Sequence, residues 1–168
     1  MKPSLKYNSL SKEILQHLFN YEDGELYWKN HHWFKNNVGK KAGTKMKTGY
    51  YHICIKQQIY LKHRLIFLYH HGYLPEYIDH INGDKDNNRI ENLRPADYNQ
   101  NGYNQKIPKN NKSGYKGVVW RENQKRWIAQ VGYKNKMYHL GSFILKKDAI
   151  DTVKIFREKH HKEFAREA

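Results

Sequence analysis

Cysteine is nearly absent from this 168-residue chain, and so is any long apolar stretch. The single cysteine, Cys54, excludes an internal disulfide and a cysteine-rich zinc knuckle. It lies in the alternating run His52-Ile53-Cys54-Ile55, where a buried structural thiol is expected rather than a nucleophile. No apolar run approaches the length of a membrane span, and Met1-Lys2-Pro3 opens no signal-peptide pattern. Neither membrane insertion nor secretion is expected, and the cytoplasm is the expected location. Acidic residues are also scarce, 16 against 31 Lys and Arg, leaving a net charge of +15 and a pI near 9.7. That balance calls for a polyanionic partner. Fourteen Tyr and four Trp add stacking surface, which favours nucleic acid over a membrane surface or a small-molecule substrate.

The charge is uneven along the chain. Residues 1–60 carry 10 Lys or Arg against 4 acids, residues 61–105 carry 5 against 6, and residues 106–168 carry 16 against 6. A near-neutral middle that can host a cation is thus flanked by two basic arms that can grip phosphates.

The middle contains the most informative stretch, Asp79 to Asn101. Asp79 and His80 end a short extended segment (Tyr77, Ile78), Asn82-Gly83 is a turn signal, and Asn92-Leu93-Arg94 closes a polar loop. Pro95 breaks the chain, and Asp97 can cap a short helix carrying Asn101. An EF-hand reading of Asp84, Asp86 and Asn88 fails, because Arg89 and Pro95 stand where Gly and Glu are required.

This order of residues resembles the HNH nuclease motif in the variant whose third position is Asn. The resemblance implies a ββα-metal module at residues 77–104, with Asp79 and Asn101 holding one divalent metal ion. His80 would be the general base, and Asn92 would brace the loop and hold His80 in register. Mg²⁺ or Mn²⁺ suits such oxygen donors, and an imidazole of pKa about 6.5 can accept a proton from water near neutral pH. On a regular strand Asp79 and His80 would face opposite ways, so the resemblance also implies a twisted or broken strand there.

Along the chain, Ser11 is expected to cap a helix from about Lys12 to Phe19, with Ile14, Leu15 and Leu18 as its apolar face. Tyr21 to Trp28 reads as a turn into a strand, and residues 30–47 as a basic loop in which Lys45 and Lys47 are candidate DNA contacts. A hairpin around Gln57-Gln58 and a helix from Lys62 to about His71, stopped by Gly72 and Pro75, come next. A Gly-Tyr hairpin followed by His63-Arg64-Leu65 ahead of the Asp-His pair is similar to phage-type HNH homing endonucleases. That likeness would put the protein in an infected bacterial cell. His63 is expected to be a helix-start or packing histidine, since no ligand spacing links it to Asp79. The pairs His31-His32, His70-His71 and His160-His161 are read as surface or aromatic-cluster residues.

A polar, basic linker spans residues 104–113, which gives expected domains of 1–107 and 108–168. Beyond it, strands are expected near 117–121, 127–133 and 136–140, with a helix starting at Lys146 or Asp148. Tyr115-Lys116-Gly117-Val118, Arg126-Trp127-Ile128-Ala129 and Leu140-Gly141-Ser142-Phe143 resemble the plant APETALA2-type DNA-binding domain. Alternation assigns Val118, Trp127, Ala129, Val131, Tyr138 and Leu140 to the helix side. It leaves Val119, Arg121, Arg126, Ile128, Gln130, Met137 and His139 on the open side. Lys116, Arg121, Arg126, Gln130 and His139, with Arg94 from the central stretch, are the remaining candidate DNA contacts.

The expected fold class is α+β, namely a β-hairpin and helix region, a ββα-metal module, then a three-stranded antiparallel sheet on one helix. The expected function is site-specific, metal-dependent hydrolysis of double-stranded DNA by a monomer. The alternative is a DNA-binding regulator with an inactive core. An RNA- or ribosome-binding protein fits the charge but not the Asp79 to Asn101 pattern.

Overall fold

The computed structural model describes residues 10–30, 35–108 and 110–165; the pair His31-His32 lies outside these. Two compact units divide the chain, Met1–Ala96 and Asp97–Ala168. Among the described residues the architecture is mixed, with four α-helices and small antiparallel sheets.

In the first unit Ser11 caps α1 (Lys12–Leu18), its hydroxyl accepting the Ile14 N–H at 3.3 Å. The chain becomes extended at Phe19, so the helix stops one residue early. The next segment is a full hairpin rather than a turn and one strand: β1 (Phe19–Glu22) pairs with β2 (Glu25–Trp28) around Asp23-Gly24. A second sheet joins β3 (Thr44–Lys45), β4 (Tyr51–Ile55) and β5 (Gln58–Leu61).

Two expectations are corrected in that sheet. The β4–β5 turn is Lys56-Gln57, with φ of 48° and 63°, because Ile55 pairs with Gln58 and a two-residue turn needs left-handed conformations at both central positions. Cys54 is exposed, not buried. Ile53 and Ile55 point into the core, so the residue between them must face out.

The helix α2 (Lys62–His71) ends at Gly72, whose φ of 75° makes the left-handed cap. Leu65, Ile66 and Phe67 from α2 join Leu15, Phe19, Leu26 and Ile53 in one core, each such burial being worth about 1.5–3 kcal/mol. Ile78 and Leu93 tie the next hairpin, β6 (Tyr77–His80) with β7 (Leu93–Ala96), into the same core.

The second unit opens with α3 (Tyr98–Tyr103). Asp97 accepts from Gln100 N at 2.8 Å, and the Gln100 side chain accepts from Asp97 N at 2.8 Å, a closed capping box. Then β8 (Val118–Arg121), β9 (Arg126–Tyr133) and β10 (Lys136–Phe143) form a sheet of order β10-β9-β8. The helix α4 (Lys146–His161) covers it, with Val118, Ala129, Val131, Ala149 and Val153 as the core. Gly117 is required at its place: φ is +80°, and a Cβ would stand 2.5 Å from the Gln130 carbonyl oxygen.

The expected division of the sheet's faces needs amendment. A bulge between His139 and Gly141 resets the alternation and brings Phe143 against the core. Tyr138 stays 38% exposed although its ring lies 5.4 Å from Phe156. Ile128, expected on the open side, is buried; on the central strand its access to water is narrowed by Val119 and Ser142 on either side.

The compact division after Ala96 places α3 with the second unit, ahead of the linker. Tyr103 accounts for this. Its ring stacks on His161 at 3.7 Å and 2°, its hydroxyl accepts the Lys134 N–H at 3.1 Å, and its carbonyl accepts Lys116 Nζ at 3.1 Å.

His161 also bonds the Gly132 carbonyl through Nε2, while its buried Nδ1 has no hydrogen-bond partner. Burial therefore lowers its pKa from 6.5 to about 4, with Arg157, His160 and Lys116 adding repulsion. Above pH 6.5 both the folded and unfolded forms are neutral. As pH falls from 6.5 to about 4, the unfolded chain takes up a proton that the folded one refuses, so stability is lost. Thermal melting followed from pH 7 to 4 should show the wild-type midpoint falling more steeply than that of His161→Gln, which keeps an N–H donor for Gly132 without titrating. Identical slopes would exclude this role.

Candidate active site

Two strands and one loop make the site in the first unit. Antiparallel pairing places Asp79 opposite Arg94 and His80 opposite Leu93. Both Asp79 and His80 are buried, at 5% and 4% exposure. Arg94 donates from Nε (2.9 Å) and Nη2 (2.8 Å) to the same oxygen, Oδ2 of Asp79. A charged pair this buried is costly to break from one side, because the remaining charge would be left without compensation.

Between the strands, residues 81–92 form a loop held by carboxamides. Asn92 accepts the Asn82 N–H (3.1 Å) and donates to Asn82 Oδ1 (3.0 Å) and the Asn87 carbonyl (2.7 Å). Asn92 thus braces the loop. The group that meets His80 is a different one, Asn88, whose Oδ1 lies 3.1 Å from Nε2. Asn88 is buried, and its Nδ2 faces the carbonyls of Asp86 (3.2 Å) and Lys85 (3.5 Å). Those acceptors orient the carboxamide so that its oxygen meets the imidazole. His80 must then carry its proton on Nε2, and Nδ1 carries the lone pair.

The β1–β2 hairpin supports this loop. Tyr21 Oη accepts the Ile90 N–H at 3.0 Å, and Asp23 pairs with Arg89 at 2.6 Å. Gly24, with φ of +84°, lies so close that a Cβ would stand 2.8 Å from Arg89 N.

Burial holds the pKa of His80 below its ordinary value, opposed by the Asn88 bond and by the Asp79 charge. Beside it lies His63, 6% exposed, with ring centroids 5.2 Å apart in edge-to-face contact. Burial, with repulsion from His80, Arg64 and Lys85, takes the pKa of His63 to about 3. Tyr50 flanks both rings, at 5.2 Å from His63 and 6.2 Å from His80, and Lys85 Nζ lies 4.1 Å over Tyr50.

The other candidates are more scattered. Lys45 pairs with Asp86 of the loop at 2.6 Å, and Lys47 is exposed. Asn101 is half-buried on α3 of the second unit. Arg121 pairs in register with Arg126, and Gln130 with His139; all but the half-buried Gln130 are exposed. Lys116 is half-buried on the Tyr103 carbonyl.

A family model described as HNH endonuclease matches residues 60–103, the segment from β5 to α3 that carries His63, Asp79, His80, Asn88 and Asn92. Protein 3.8 of Escherichia phage T7 is 37% identical over 93 residues, which cover 54% of this chain and 74% of the relative. The chain belongs to the HNH endonuclease family. No solved structure matches it.

In this HNH protein, sequence reasoning singled out Asp79, His80 and Asn92, which lie on this hairpin and its loop, and took His63 for a helix-start or packing histidine, as it is; Asn88, Tyr50 and Lys85 it did not single out as neighbours of His80. Asn88 looked like one more polar loop residue. His63 lies 17 positions before His80, so no local spacing could connect them. Among the described residues no group of three or more His, Cys, Asp or Glu side chains is placed to hold a metal ion.

If Asn88 sets the tautomer of His80, Asn88→Ala should lower nuclease turnover about 10- to 100-fold, the scale for a misplaced catalytic group. Substrate affinity should not change. Single-turnover rates and equilibrium binding measured on the same duplex check this, and an unaltered rate would remove Asn88 from the account.

Proposed function

We propose that this HNH protein is a site-specific, metal-dependent endonuclease that hydrolyses phosphodiester bonds of double-stranded DNA. On this reading it is of homing type, acts as a monomer, and nicks or cuts both strands. The observation carrying the reading is His80, neutral, its Nε2 committed to Asn88, next to a buried carboxylate in the family-matched segment.

In the proposed reaction a water oxygen bonds to phosphorus while His80 Nδ1 takes the water's proton. The phosphorus–oxygen bond to the leaving sugar then breaks. Because burial keeps the imidazole neutral, its lone pair is available near neutral pH. Asn92 keeps the loop closed around it.

Oxygen donors suit a hard divalent cation, Mg²⁺ or Mn²⁺, and the likeness to HNH nucleases would give that role to the buried Asp79 carboxylate and the Asn101 carboxamide oxygen. When bound, such a cation supplies positive charge to the phosphate and to the leaving oxyanion. Arg94, expected on DNA, is engaged with Asp79 Oδ2, which supports a role in orienting that carboxylate. The functional HNH module would have a ββα-metal arrangement and run through α3 to residue 107.

Residues 108–168 would be an APETALA2-like reader of DNA. Its three-stranded sheet on one helix and the excess of basic residues in that part of the chain support this. Arg121, Arg126, Gln130 and His139 would read base edges or phosphates from the sheet, and Lys116, with Lys45 and Lys47 of the first unit, would add further DNA contacts.

The deciding experiment compares wild type, His80→Ala and Asp79→Ala on a duplex selected for cleavage from a random-sequence pool. His80→Ala should bind that duplex normally and cut it at least ~100-fold more slowly. Asp79→Ala, and wild type in excess chelator, should not cut. Wild-type rates from His80→Ala, or cutting undiminished by chelator, would end the proposal.

A further inference from the structure

The hydrogen bond to Asn88 pins one atom of the His80 ring, Nε2. It does not by itself fix the plane of the ring, which can still swing about that anchor. Swinging would move Nδ1, on which the proposed reading of His80 as the base depends. A second restraint is needed, and His63 has the place and the rigidity to supply it.

His63 is the second residue of α2, and both its neighbours are tied down. Lys62, fully buried, pairs with Glu25 of β2 and lies 4.4 Å over the Tyr51 ring. Arg64 donates to the carbonyls of Pro75 (3.1 Å) and Glu76 (3.2 Å). The backbone that carries His63 is therefore held on both sides. Tyr50 packs against it at 5.2 Å, and Lys85, from the loop that carries Asn88, sits over Tyr50. The chain of contacts runs from the loop through Lys85, Tyr50 and His63 to His80.

We propose that His63 is a positioning residue whose ring holds the plane of the His80 imidazole while Asn88 holds its edge. This rests on His80 being the base. With a pKa of about 3, His63 is an uncharged ring throughout the working range and carries no proton near neutral pH beyond its single N–H. Its contribution is the 5.2 Å edge-to-face contact at an interplanar angle of 64°.

The test uses the full chain and the same selected duplex under single-turnover conditions. His63→Leu fills most of the volume without an aromatic ring and should lower the cleavage rate at saturation about 10- to 100-fold, with the half-saturating DNA concentration unchanged. His63→Phe restores a ring and should recover most of that rate. A merely structural role would lower the melting temperature of both variants without splitting their rates. Tyr50→Leu removes the ring behind His63 and leaves α2 intact, so it serves if His63→Leu does not fold; it should slow cleavage about tenfold.

Wild-type rates in His63→Leu, or in Tyr50→Leu where the former is unfolded, would overturn the proposal. So would a folded His63→Phe as slow as His63→Leu, which would mean that the imidazole nitrogens matter rather than the ring. His80→Ala run alongside separates the two levels. If it cuts normally, the base assignment fails and this proposal with it. If it is inactive while His63→Leu is not, only the positioning role of His63 is lost.

Discussion

A single hydrogen bond, from His80 Nε2 to the Asn88 carboxamide oxygen, decides which imidazole nitrogen can accept a proton, and the surrounding loop exists in the form that makes this bond. Asn88 can present its oxygen because its amide faces two carbonyls within the loop. The loop keeps that curvature because Asn92 and Asn82 exchange bonds at its neck. Each bond is worth about 0.5–1.5 kcal/mol net, but a buried polar group left without a partner costs about 1–3 kcal/mol. The network therefore resists piecemeal loosening. It is braced from behind by the β1–β2 hairpin, through Tyr21, Asp23 and the close approach at Gly24.

Burial does two different jobs around this loop. For His80 and His63 it disfavours the charged form and keeps both rings neutral. For Asp79 a buried carboxylate is tolerable because Arg94 lies directly across the strand pair and gives two N–H donors to one oxygen. A neutral acceptor and a compensated anion thus occupy adjacent positions of β6. The second unit is built on other principles: a small apolar core, a bulge that resets the alternation, and an aromatic stack that holds α3 to the end of α4.

Much of this was legible in the chain. Ser11, Asp97 and Gly72 announced helix ends through capping chemistry that acts over a few residues, and all three perform it. The strands of the second unit followed from alternation and came within a few residues of their observed bounds. Other features depended on distance or on small offsets and could not be read. His63 and Tyr50 reach His80 only through the tertiary fold. Cys54 was misjudged because alternation gives two possible faces and the flanking isoleucines took the inner one. Asn88 and Asn92 are chemically identical loop residues, and which one meets the histidine depends on backbone geometry that composition does not encode. The bulge at His139 to Gly141 shifted faces that a regular strand would have kept.

The central claim is that neutral His80 carries its proton on Nε2, with the lone pair on Nδ1. The direct measurement is nitrogen-15 NMR of the imidazole side chains in the full protein near neutral pH, with His80 assigned by comparison with His80→Ala. The account predicts a protonated Nε2 coupled to its hydrogen and an unprotonated Nδ1, with that pattern lost in Asn88→Ala. A protonated Nδ1 in the wild-type protein, or a His80 pattern indifferent to Asn88, would contradict it.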